Sequence, residues 1–97
     1  MNNVEIEIYM NRFINFFENN PNDLMGLIGE LDKNEFYELV RYQCTENIEK
    51  GDEVSLTQDQ IIDIVIRLKK KDLDKSRMIV IVDKVFQHTK FGLIGLN

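Results

Sequence analysis

Apolar and polar positions alternate along this chain with the period of an α-helix. From Val4 to Asn20 the residues Ile6, Tyr9, Met10, Phe13, Phe16 and Phe17 recur on one face, with Asn11, Arg12, Asn15, Glu18 and Asn19 opposite them. Pro21 ends this helix, because proline disfavours helical geometry in the residue before it. Asp23 then caps a short second helix, Leu24 to Leu31. Gly26 and Gly29 weaken that helix, each by about 1 kcal/mol relative to alanine. Asp32 with Glu35 forms a capping-box start to a third helix, whose stripe is Phe36, Leu39, Val40, Cys44 and Ile48 and whose end is marked by Lys50 and Gly51. Thr57 with Gln60 is a second capping box. It opens a fourth helix with a broad apolar face of Ile61, Ile62, Ile64, Val65 and Leu68 and a basic last turn.

Asp72 to Asp74 turn the chain and cap a fifth element. Met78 to Val82 is β-branched and short enough to be a buried strand. Ile79, Val82, Val85, Phe86 and Thr89 keep helical spacing, however, and four preceding helices offer a lone strand no partner, so a helix ending at Gly92 is expected. The remaining residues, 93–97, form an extended apolar tail. The fold class is therefore all-α: one domain over residues 1–97, a small bundle of four main helices plus a short helix, and that tail.

Composition supports one folded domain. A 97-residue chain with 43% apolar and 30% charged residues is in the globular range and large enough for one core. A single cysteine, Cys44, permits no intramolecular disulfide and no thiolate metal site, and it falls on the apolar stripe of its helix, where it acts as a small hydrophobe. The first ten residues lack a basic n-region and contain two glutamates, and no apolar run is long enough to span a bilayer, so a cytoplasmic protein is expected.

Charge changes the picture more. Residues 1–66 hold fourteen acids and four bases, whereas residues 67–97 hold three acids and eight bases, so a net charge of −5 conceals halves of −10 and +5. Opposite ends of this kind favour contacts with each other or between copies.

Catalytic chemistry is hard to assemble. His88 is the sole histidine and has no nearby partner of the kind that metal or nucleophile motifs carry, and no serine elbow or phosphate-binding glycine loop is present. Asp59 with Asp63 and Glu35 with Glu38 have the spacing of half a dinuclear site but lack the Glu-x-x-His repeats such sites use, so they read as solvated faces. Asp32 to Phe36 imitates the start of a calcium loop and fails at the third ligand. No cofactor and no enzymatic activity are expected. Arg67, Lys69, Lys70, Lys71, Lys75 and Arg77 form a basic run that is a candidate phosphate-binding site, without the interleaved aromatics that would strengthen it. The Gly-Leu-Ile-Gly tetrapeptide occurs at Gly26 to Gly29 and again at Gly92 to Gly95, two places where the backbone is expected to turn or to come close to another element, and chance suffices to explain a repeat of four common residues.

The ending from His88 to Asn97, together with Thr57 to Ile64, resembles small uncharacterised proteins encoded by T4-like phages of marine bacteria, and the Asn-, Ile-, Lys- and Asp-rich composition fits such an AT-rich source. The resemblance carries no activity or site residues. Two functional readings remain. In the first the chain is a non-enzymatic interaction or accessory protein that forms a homo-oligomer, a dimer, or docks a protein partner through Phe86, Phe91, Leu93, Ile94 and Leu96. In the second it regulates nucleic acid or the transcription or replication machinery through the basic 67–77 segment.

Overall fold

The computed structural model describes residues 3–68 and 74–95, with side chains for 4–68 and 74–90. Every described element is helical: α1 (Asn3–Asn19), α2 (Pro21–Ile28), a 3-10 turn (Glu30–Asp32), α3 (Lys33–Glu49), α4 (Gln58–Leu68) and α5 (Lys75–Gly95). This is the expected all-α architecture of four long helices and one short one. Met78 to Val82 is helix, not strand.

The aromatic stripe of α1 builds the centre. Tyr9, Phe13 and Phe17 are buried, and Phe13 and Phe17 meet Phe36 of α3 edge-to-face, with ring centroids 6.1 and 5.7 Å apart. Edge-to-face pairs add about 0.5–1.5 kcal/mol beyond their buried area. Val40 and Cys44 of α3, Ile61, Ile64, Val65 and Leu68 of α4, and Met78, Ile81, Val82 and Val85 of α5 close the core around them. The radius of gyration is 12.8 Å, against about 12.5 Å for a single globule of this length.

Helix boundaries differ from the sequence reading in ways that have local causes. α2 starts at Pro21, not Leu24, since a proline at the first helical position has its backbone angle preset and needs no hydrogen bond there. Asp23 is consequently inside the first turn, with its carboxylate 3.6 Å from Lys84 of α5. α2 also stops earlier, at Ile28, because Gly29 adopts φ 82°, ψ 161°, and Leu31 falls beyond the helix with its side chain in solvent. The Asp32 and Glu35 capping box does not form. The 3-10 turn leads straight into α3 and leaves Asp32 at φ −100°, ψ 3°, outside the extended geometry that a capping side chain needs.

The Thr57 and Gln60 capping box does form, with Thr57 Oγ1 accepting from the Gln60 amide and Gln60 Oε1 accepting from the Thr57 amide, both at 3.1 Å. Asp74 caps α5 by accepting from the Ser76 amide at 2.9 Å. On α5 the expected stripe holds at Val82, Val85 and Thr89, which are buried, and at Phe86, which packs against the core, but Ile79 is exposed and Met78 and Ile81 take its place in the core. The α5 backbone stays helical past Gly92, where the sequence reading ended it, since a single glycine weakens a helix without stopping it. Side chains of the apolar tail lie outside the described residues. Among those described, no helix is long and apolar enough to cross a membrane.

Candidate functional site

Two polar clusters and one apolar strip are the places where this fold offers chemistry to a partner. The first cluster lies at the head of α4. Asn47 of α3 is only 3% exposed, yet its amide is fully engaged: Oδ1 accepts from Gln43 and Gln60 at 3.1 Å each, and Nδ2 donates to Gln60 Oε1 at 3.1 Å and to the Ser55 carbonyl at 3.4 Å. The capping glutamine of α4 is thereby also the residue that ties α4 to α3. A cleft of about 650 Å³ opens beside this network, lined by Ser55, Thr57, Gln58, Asp59, Phe86 and Lys90 among others. Its lining has hydrogen-bonding amides and hydroxyls and contains neither histidine nor cysteine. The sequence reading missed Asn47, which occupies an apolar-stripe position one turn after Gln43 and thirteen residues before the Gln60 cap.

The second cluster joins α1, α5 and the loop before α4. Tyr9 Oη accepts from the Leu56 amide at 2.9 Å, and burial pushes its phenol up to about 12. Thr89 is buried and donates to the Val85 carbonyl at 2.8 Å, and Arg12 Nη1 donates to the Thr89 carbonyl at 2.9 Å. These bonds lock α5 to α1 where residues 91–97 begin. A groove of about 310 Å³ runs past them, with Glu5, Ile8, Arg12, Val54 and Lys90 in its walls.

Of the sequence-nominated interface residues, Phe86 is half-buried against the core with Lys90 Nζ 5.6 Å from its ring centroid. Phe91, Leu93 and Ile94 belong to α5 by backbone, their side chains lying outside the described residues, as does the whole of Leu96. In the basic run Arg67, Lys75 and Arg77 are exposed, and Lys69, Lys70 and Lys71 lie outside the described residues. The Arg77 guanidinium lies close to Gly26 of α2. His88 sits against Phe16, with ring centroids 5.2 Å apart. Cys44 is fully buried, and burial pushes its thiol up to about 12. Among the described residues, no three His, Cys, Asp or Glu side chains converge as a metal site would require.

The apolar strip lies on the outside of α4 and α5. Gln58 Nε2 donates to Asp83 Oδ1 at 2.9 Å, joining the start of α4 to α5 eight residues past its start, which with the short connection from Leu68 to Lys75 makes the two helices antiparallel. One turn along each from that bond come Ile62 and Ile79, and one turn further on α4 comes Ile66. Ile66, Ile79 and the adjacent Val80 are 55%, 52% and 56% exposed, and Ile62 is half-buried at the seam between them. The chain matches no protein family, no curated protein and no solved structure.

Proposed function

We propose that this chain is a non-enzymatic interaction protein that assembles with a second copy of itself through its C-terminal helix. The observation that carries the reading is that α5 is apolar on two faces. Met78, Ile81, Val82 and Val85 fill the core, while Ile79 and Val80 on the same two turns project into solvent. A helix that needed only to cover one side of the bundle would be polar there. The α5 backbone continues to Gly95, and the sequence there is apolar at Phe91, Leu93 and Ile94. The resemblance to small T4-like phage proteins is in keeping with an accessory role. For the nucleic-acid alternative, the support is the charge of the basic run, with Arg67, Lys75 and Arg77 exposed.

Light scattering across a hundredfold range of concentration tests the reading, on the full chain and on a chain lacking 91–97. A mass that rises with concentration is the expected result, in the full chain and, since Ile79 and Val80 remain, in the truncated one. A full-length chain that keeps its monomer mass throughout overturns it.

A further inference from the structure

Resting on the self-association reading, we infer that the contact is a two-fold pairing of α5 with the α5 of a second copy, antiparallel and centred on Ile79. Lys75, Ile79 and Asp83 are four residues apart and so lie along one ridge of the helix, all three exposed. Each charge is about 6 Å along the axis from Ile79, in opposite directions. A two-fold contact must be self-complementary, with whatever lies on one side of the axis meeting its counterpart on the other. Antiparallel pairing at Ile79 meets this condition: each Lys75 faces the Asp83 of the other copy, and Ile79 faces itself between the two ion pairs. A parallel contact would set Lys75 against Lys75 and Asp83 against Asp83.

The surroundings favour the same arrangement. Gln58 holds Asp83 through Oδ1 only, so Oδ2 can accept from a lysine of the second copy without breaking the α4–α5 bond. Val80 widens the apolar centre on one side of the ridge, and Ile62 and Ile66 widen it on the other, across the seam with α4. A stable dimer buries about 800 Å² on each partner. Three exposed aliphatic side chains fall short of that alone; centred on Ile79, the two α5 helices overlap from Lys75 to Asp83, about 12 Å, and the adjoining face of α4 with Ile62 and Ile66 adds to the contact. Opposite charges placed symmetrically about an aliphatic centre are self-complementary under a two-fold axis, which is the arrangement a second copy can meet.

Charge reversal tests this directly. Lys75→Glu and Asp83→Lys each set like charges face to face across the axis, so each variant alone should dimerise at least tenfold more weakly than the native chain. Mixed together, the two should form a heterodimer, because both cross-axis pairs are then opposite again, and the double variant Lys75→Glu/Asp83→Lys should regain the homodimer. Independently, Ile79→Cys should cross-link to itself on mild oxidation, whereas Gln87→Cys, eight residues from the axis on each copy, should not. If the native chain dimerises but the single reversals do so equally well, or the mixture gains nothing, or Ile79→Cys fails to cross-link, the pairing is wrong and only the broader reading stands. If the native chain is monomeric, both fall.

Discussion

Asn47 and Gln60 exchange two hydrogen bonds across the α3–α4 seam, each 3.1 Å long, so that two side-chain amides satisfy each other in a part-buried site. Gln60 Oε1 serves the Thr57 amide at the same time. The start of α4, the loop before it and its attachment to α3 are thus one hydrogen-bonded unit.

Asn47→Ala should destabilise the chain by about 1–3 kcal/mol, the usual result of leaving buried polar partners without a mate. Gln60→Ala should cost a similar amount. Because the two share bonds, the double variant should be less destabilised than the sum of the singles, by about 0.5 kcal/mol or more, in urea unfolding. Strict additivity would mean that the amide pair is not a unit.

Gly29 and Gly51 carry φ of +82° and +84°. At Gly29, ψ of 161° places the backbone in a region that side-chain-bearing residues essentially never occupy. Neither position has a neighbour within contact distance of an added methyl group, so any penalty is conformational. Gly29→Ala should cost about 1–3 kcal/mol. Equal stability of Gly29→Ala and the native chain would contradict the turn geometry that ends α2.

Much of this fold is written in its apolar spacing, and the exceptions are instructive. The stripe of α1, the Thr57 and Gln60 box and the Asp74 cap can be read directly, because each depends on residues within one or two turns of each other. The α2 boundary was missed because Pro21 acts as a helix starter as readily as a helix stopper, and its role is decided by what packs behind it. Asn47 was missed because its meaning depends on Gln60, a neighbour only after α3 and α4 fold together. Only the first turns of α5 were hidden, by abundance: with aliphatics at 78, 79, 80, 81 and 82, the period does not say that Met78 and Ile81 face inward and Ile79 outward, whereas Val82, Val85 and Thr89 are buried as the spacing implies. That same abundance marks the surface on which the functional reading rests.

Two aliphatics two residues apart should therefore behave oppositely. Ile81 is buried and lies against α2 near Gly26, and Ile81→Ala should cost about 2–5 kcal/mol. Ile79→Ala should leave the stability of the monomer, measured at high dilution, within about 0.5 kcal/mol of native. Comparable losses at both positions would contradict the orientation of α5.

Alkaline pH should weaken the fold. Burial raises both the Tyr9 phenol and the Cys44 thiol to about 12, against ordinary values of about 10 and 8.5. The unfolded chain therefore releases these protons first. Stability is unaffected by them below about pH 8.5 and declines as the pH rises through the ordinary values toward 12. The urea midpoint should fall over that interval, and in a Cys44→Ala variant it should fall less between about pH 8.5 and 10. Coincident slopes for the two chains would contradict the placement of Cys44 in the core.

Sedimentation equilibrium of the native chain beside Ile79→Asp tests the central claim most directly. The account predicts that the native chain reaches twice the 11.5 kDa chain mass as concentration rises, while Ile79→Asp stays at the chain mass with unchanged helical circular dichroism. A native chain that remains at 11.5 kDa, or an Ile79→Asp chain that doubles its mass as readily, would contradict it.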